Sequence, residues 1–207
     1  MTDDKLKINP KKTALLLIDF QNDIASKGGI LAPSDDDALS RFSEAINNAK
    51  RALDGARNAG VRIYHIRHCN VDENGMQAGN AYGRLAKFTF ESGALVPGKP
   101  GYEFVSQLMP GEGEPIITKH TISAFVGTGL GETLNKSGVE TVIISGLVTH
   151  WAAEGAVRSA HDMGFNTVIL SDACSSGSIE SHEQSLGRMG FIATSLTTDH
   201  FLSAILG

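Results

Sequence analysis

Residues 13–19 read TALLLID: one threonine, five consecutive apolar residues, then a carboxylate. An apolar run without alternation is what a strand buried on both faces requires, and burial on both faces marks a parallel sheet covered by helices on each side. The same grammar recurs outward from this stretch. Ser34–Asp37 supplies helix-capping side chains. Leu39, Phe42, Ile46, Ala49, Leu53 and Ala56 then follow at spacings of three and four, one face of a helix that Gly60 stops. Val61–Ile66 reads as a second strand, Pro115–Lys119 as a third, Thr141–Ser145 as a fourth, Thr167–Leu170 as a fifth and Ala193–Leu196 as a short sixth. Helices are expected over Thr128–Ser137, over Ala152–Met163 with Ala153, Val157 and Ala160 inward, over Ser178–Met189 and at the C-terminus. Residues 67–114, broken by Pro97, Gly98, Pro100, Gly101, Pro110, Gly111 and Gly113, read as a long irregular segment that builds a site or moves.

Strands alternating with helices predict an α/β fold: a three-layer αβα sandwich on a central, mainly parallel, Rossmann-like six-stranded sheet. A length of 207 residues fits a single domain over 1–207 with a sizeable core. The net charge of −5 and the lack of basic clusters beyond Lys11–Lys12 and Lys50–Arg51 argue against nucleic acid as a partner. No apolar run approaches the ~20 residues of a membrane span. The opening MTDDKLKINP holds no apolar segment of the kind a signal peptide needs. Two cysteines, Cys69 and Cys174, are too few for a disulfide framework. A cytoplasmic protein is expected.

In parallel sheets ligands sit beyond the carboxyl ends of the strands. That rule nominates Asp19, Lys119, the Gly146–Trp151 turn and Asp172. Asp19 is either a loop-capping carboxylate or a partly desolvated proton-transfer group. Lys119 is either a solvated charge or the partner that keeps Asp19 ionised and steadies developing negative charge. The turn from Gly146 to Ala152 is either an ordinary strand-to-helix turn or an anion site made of backbone amides. His65 and His68 are the only suggestion of a metal site, and without HExxH or paired Cys–His spacing no metal is expected. Neither GxxxxGK[ST] nor a strand-following GxGxxG occurs, so no nucleotide cofactor is expected. Arg158 reads as structural.

Three segments taken in order, LLLIDFQND, IITKHTISAFVGTGLGETL and VIISGLVTHWAAEGAVRSAHDMGFNTVILSDACSS, resemble the isochorismatase-like hydrolases. That superfamily includes nicotinamidases, N-carbamoylsarcosine amidases and related cysteine hydrolases. The resemblance covers nearly the whole chain, with 100 residues from Asp19 to Lys119 and 33 from Lys119 to Ala152, and the later HEQSLGRMGF matches the family's last helix. It implies an Asp–Lys–Cys triad. Asp19 matches the acid that takes the thiol proton and returns it to the leaving amine, and Lys119 the orienting cation. Leu147–Val148 matches a non-prolyl cis peptide, with backbone amides at Leu147, Val148 and Ala152 around an oxyanion. Metal-site residues of the nicotinamidase branch have no counterparts.

The departure is at the nucleophile: the family's Cys falls on Ala152. A methyl group cannot attack a carbonyl. Cys174 lies one strand later and Cys69 after the second strand, and neither position replaces the thiol. Three readings follow. The chain is an engineered, inactive form of a cysteine hydrolase acting on amide or ureido C–N bonds. Alternatively it is a natural isochorismatase-type enzyme in which Asp19 protonates a vinyl ether without a nucleophile, or a silent member that binds a small molecule or a partner. Gln21, Phe88, Phe125, His150 and Trp151 are the candidate substrate contacts, with Phe90 as a further aromatic wall. The resemblance also implies a homo-oligomer, dimer or tetramer.

Overall fold

The fold is built around β1 (Thr13–Ile18), which is buried along its whole length. The computed structural model describes residues 7–80 and 82–206, so most of the N-terminal stretch read for a leader, 1–6, lies outside the described residues. β1 pairs in parallel with β2 (Arg62–His68) on one side and β4 (Thr141–Leu147) on the other. With β3 (Ile116–Lys119), β5 (Asn166–Ser175) and β6 (Thr194–Leu196) the sheet has six strands in the order β3-β2-β1-β4-β5-β6. Every ladder is parallel. The order reverses direction at β1 and β4, and the crevice above that switch point is where such sheets bind ligands.

Among the described residues seven α-helices accompany the strands: α1 (Asn22–Ala25), α2 (Asp36–Ala59), α3 (Arg84–Glu91), α4 (Leu130–Lys136), α5 (Glu154–Asp162), α6 (Ile179–Met189) and α7 (Thr198–Leu206). They make two cores. Leu15 and Leu17 pack on one face with Phe42, Leu53 and Phe201 of α2 and α7. Ala14, Leu16 and Ile18 pack on the other with Leu134, Val157 and Met189 of α4, α5 and α6. Alternate side chains of a strand point to opposite faces. Two covered faces therefore account for the unbroken apolar run of residues 14–18. α2 starts where Asp35 accepts a hydrogen bond from the Ala38 amide at 2.8 Å, and ends at Gly60, whose φ of 74° suits a residue without Cβ.

Three boundaries differ from the sequence reading. α3 lies inside the segment expected to be irregular: Leu85 and Phe88, and Ala86 and Phe90, are spaced as on a helix, but the run is only eight residues long and sits among the glycines and prolines that suggested a loop. β2 runs on past Ile66 to His68, and β5 runs past Leu170 to Ser175 through the polar SDACS, where its pairing with β4 shifts register between Ile144 and Gly146. Asp172 consequently sits inside β5 rather than beyond it. Its Oδ1 accepts from the Thr198 amide and hydroxyl, both at 2.8 Å, and so holds the start of α7. This corrects its nomination as a site residue.

Candidate active site

At the end of β1 the chain turns sharply: Asp19 has φ 59°, a left-handed conformation that aspartate tolerates better than bulkier residues, and its amide donates to Ile66 O at 2.9 Å. Its side chain is buried against Lys119, the last residue of β3, with Nζ 2.8 Å from Oδ2 and only 1% and 6% of the two side chains exposed. The strand order makes this contact a long reach. β2 lies between β1 and β3, and neighbouring strands stand roughly 4.8 Å apart. Lys119 must extend over the end of β2, where its register partner is His68. The ammonium there meets two more acceptors, Thr121 O at 3.0 Å and His68 Nδ1 at 3.4 Å.

Burial raises the pKa of Asp19 above the ordinary carboxylate value, and the attraction and hydrogen bond from Lys119 only partly oppose this. One oxygen, Oδ1, is buried with no hydrogen-bond partner among the described residues. A carboxyl with one oxygen held and the other bare is placed to carry a proton. His68 is driven the other way. Burial first, then the Lys119 charge, push it down to about 3, so at neutral pH it is an uncharged ring beside a cation.

The turn after β4 faces the same sheet edge. Gly146 has no room for a side chain: a Cβ would stand 2.7 Å from Ile18 O, so β4 lies close against β1 here. The Leu147–Val148 peptide is cis. Residues Thr149–Ala153 then form one wide π-type turn that leads into α5. Ala152 is buried, and its amide donates to Val148 O at 3.0 Å, as does the Trp151 amide at 3.1 Å. The expectation of a free Ala152 amide around an oxyanion is thereby corrected, because the closing turn already occupies it. The Val148 amide has no partner among the described residues. Two histidines brace the turn: His182 Nδ1 lies 2.8 Å from Thr149 Oγ1, and His150 Nδ1 lies 3.0 Å from Ser176 Oγ. Burial lowers the pKa of both rings. Glu154, at the start of α5, accepts from Ser185 Oγ at 2.6 Å and pairs with Arg158 and Arg188, fixing the turn's helical end to α6. Arg158 has the structural place expected of it.

The candidate substrate contacts fall into different places. Gln21 is fully buried; its amide donates to His68 O and Tyr102 O at 3.0 and 2.9 Å and accepts from the His68 amide at 2.7 Å. It clamps the backbone of β2 rather than offering a free polar group, which corrects its expected role. Phe125 is a core residue, its ring 6.3 Å from that of Phe165. Phe88, on α3, is largely exposed, as is about half of Trp151, whose ring meets His150 edge-on at 5.1 Å. Phe90, by contrast, is half-buried on α3.

Both thiols are buried. Cys174 is buried in β5, where desolvation pushes it up to about 12 and its sulfur accepts from the Gly146 amide at 3.3 Å. Cys69 is buried just past β2, with its Sγ donating to Val71 O at 3.2 Å. His65 and His68 do not converge, since residues three apart on a strand point to opposite faces. His65 instead bonds Glu114 at 2.8 Å. Among the described residues no group of three or more His, Cys, Asp or Glu is placed to hold a metal ion.

The sequence reading did not single out His68 as a neighbour of the Asp19–Lys119 pair. Ending β2 at Ile66 put it in a loop. The signal that was available is its position on the strand that Lys119 must cross.

Comparison with known proteins gives the site its family. The chain is 30% identical to an uncharacterised isochorismatase family protein, YddQ, of Bacillus subtilis over 72% of its own length and 69% of that protein's. It is also 30% identical to the ureidoacrylate amidohydrolase RutB of Serratia proteamaculans, over 72% of this chain and 64% of that one. It thus spans about two thirds of the length of these relatives. In structure it superimposes on a cysteine hydrolase from Pseudomonas syringae with a TM-score of 0.84 at 23% identity, covering 96% of this chain and 94% of the other. An isochorismatase family protein from Desulfovibrio vulgaris gives 0.81 at 25% identity, covering 95% and 99%. The sequence model of the isochorismatase domain matches residues 13–200, from the first residue of β1 into α7, and on that match the chain belongs to the isochorismatase family.

Proposed function

We propose that this protein is a small-molecule hydrolase that works without a covalent intermediate, Asp19 moving the proton and water supplying the nucleophile. One observation carries the reading: Asp19 Oδ1 is buried and bare in a carboxyl whose proton affinity is raised, while residue 152 has only a methyl group to offer. Vinyl-ether hydrolysis uses such a group fully. The protonated carboxyl gives its proton to the alkene carbon, and the ether carbon becomes an oxocarbenium ion. Water adds to that carbon, returning a proton to Asp19, and the hemiketal collapses to a ketone and an alcohol. Lys119 holds Oδ2 throughout and limits the charge that builds on the carboxylate. The Val148 amide is one backbone donor of the turn able to meet an oxygen.

The test is hydrolysis of a panel of cyclic vinyl-ether acids by the protein as written and by Asp19→Ala. Turnover that disappears in the variant supports the reading. Full activity in the variant, or none in either form, overturns it.

A second reading has its own observation, the similarity to ureidoacrylate amidohydrolases, which favours C–N bonds as substrates. That chemistry needs a thiol at residue 152. Ala152→Cys should then gain turnover on small ureido acids or primary amides, and alkylation should abolish the gain. No gain across the panel removes this reading.

A further inference from the structure

Lys119 has three N–H bonds and three acceptors in reach: Asp19 Oδ2 at 2.8 Å, Thr121 O at 3.0 Å and His68 Nδ1 at 3.4 Å. A four-carbon stem is otherwise free to rotate its ammonium about the last bond. With all three acceptors fixed, it cannot do so without leaving one donor buried and unpaired. Two of these acceptors are rigid: Oδ2 belongs to a buried carboxyl, and Thr121 O is backbone. The third is a side chain whose own backbone is gripped from both sides by Gln21, which donates to its carbonyl and accepts from its amide. Nothing in the proton-transfer chemistry of Asp19 uses that grip.

We propose that His68 is a positioning residue for the Asp19–Lys119 pair: its uncharged ring accepts the third N–H of Lys119, orients the ammonium onto Oδ2, and leaves Oδ1 as the oxygen that handles the proton. This assigns the ring's single hydrogen to Nε2, because Nδ1 faces a donor. Protonating Nδ1 would set two donors and two positive charges against each other at 3.4 Å in a buried site, with His120 adding to the repulsion. Asp19 is the acidic group of this cluster, and Oδ2 is already engaged by Lys119. Gln21 acts one step further out, by holding the His68 backbone.

The inference rests on the reading of Asp19 as the proton carrier, and its test is chosen to be independent of turnover. Asp carboxyl carbons are labelled with carbon-13 and titrated by NMR, the Asp19 signal being assigned from its loss in Asp19→Asn. In His68→Leu the ammonium loses its third acceptor and its fixed orientation, so Asp19 should titrate about one pH unit higher than in the parent protein. In His68→Asn, whose Oδ1 can stand in for Nδ1, the midpoint should return to within a few tenths of a unit of the parent. An unchanged midpoint in folded His68→Leu overturns the proposal. So does an equal upward shift in His68→Asn, which would make the effect one of general packing. If His68→Leu does not fold, His68→Gln, which moves the acceptor away from the Nδ1 position, takes its place with the same expected shift. The expected pair of midpoints, obtained with no hydrolysis of vinyl ethers, would sink the proposed reaction and leave the positioning role intact.

Discussion

Replacing Lys119 by Met gives a sharp test of how the buried pair is balanced. Met follows the aliphatic stem in volume, so little cavity is created, and the change removes the charge and three hydrogen bonds. Breaking a buried ion pair by taking away one partner costs about 3–5 kcal/mol, because the other charge is left uncompensated. Asp19 has an escape: it can take up a proton. Burial already raises its folded-state value above that of the unfolded chain, and without Lys119 the value must rise further. The sign follows. A group that binds its proton more tightly when folded contributes stability below its unfolded value, and that contribution is lost as pH rises through the folded value. In Lys119→Met this loss moves to higher pH. Each pH unit in that window is worth about 1.36 kcal/mol. The variant should therefore lose about 3–5 kcal/mol at pH 8 but only about 1–2 kcal/mol at pH 5, where the hydrogen bonds to Thr121 O and His68 are the main loss. Urea unfolding at the two pH values measures this. At about 2–4 °C per kcal/mol for a chain of this size, Tm at pH 8 should fall by roughly 6–20 °C. Adding Asp19→Asn should recover part of the pH 8 loss. Equal losses at pH 5 and pH 8, or a loss under about 1 kcal/mol at pH 8, would refute the reasoning.

Other expectations follow from packing and charge elsewhere. Glu114 accepts two bonds from Arg57 at 2.8 Å, one from the Gly111 amide at 2.7 Å and one contact from buried His65, and its carboxyl is held down at about 2, first by Arg57. The stability it contributes is present above the ordinary value of 4.5 and lost as pH falls towards 2, so Glu114→Gln should lower stability by about 1–3 kcal/mol at pH 7 and flatten the acid limb of a urea-midpoint profile. Gly146→Ala places a methyl group 2.7 Å from Ile18 O and 2.8 Å from Ile18 Cβ; β4 must move off β1, and a loss of about 1–3 kcal/mol by thermal melt is expected. Both cysteines are buried, so a thiol reagent such as DTNB should label neither in the native protein within minutes and both in denaturant. Rapid native labelling of either would contradict its burial.

Much of the architecture was legible from residue order. The apolar run of residues 14–18 announced a strand covered on both faces, and the structure divides those residues between two cores. The three- and four-residue spacing from Phe42 to Ala56 announced α2, and Gly60 its end. Asp19 and Lys119 were nominated by position alone, as residues at strand ends. What was not legible falls into two kinds. Short or polar elements are hard to separate from loops: the eight residues of α3 were masked by the glycines and prolines around them, and the polar end of β5 carries no apolar run, which is why Asp172 was set beyond a strand that in fact contains it. Partnerships between side chains are the other kind. Gln21 was placed against a substrate because it follows Asp19, yet folding turns its amide onto β2.

That residue 152 is an alanine, at the position where the resemblance implies a cysteine, was plain from the chain alone, since a motif is read by counting. The surroundings of Asp19 were not. They depend on strand order, a property of the sheet and not of any segment. With β2 set between β1 and β3, Lys119 must cross His68 to reach Asp19. Three residues distant in sequence then share one buried cluster, and the acid–base character of each depends on neighbours that only the closed sheet supplies.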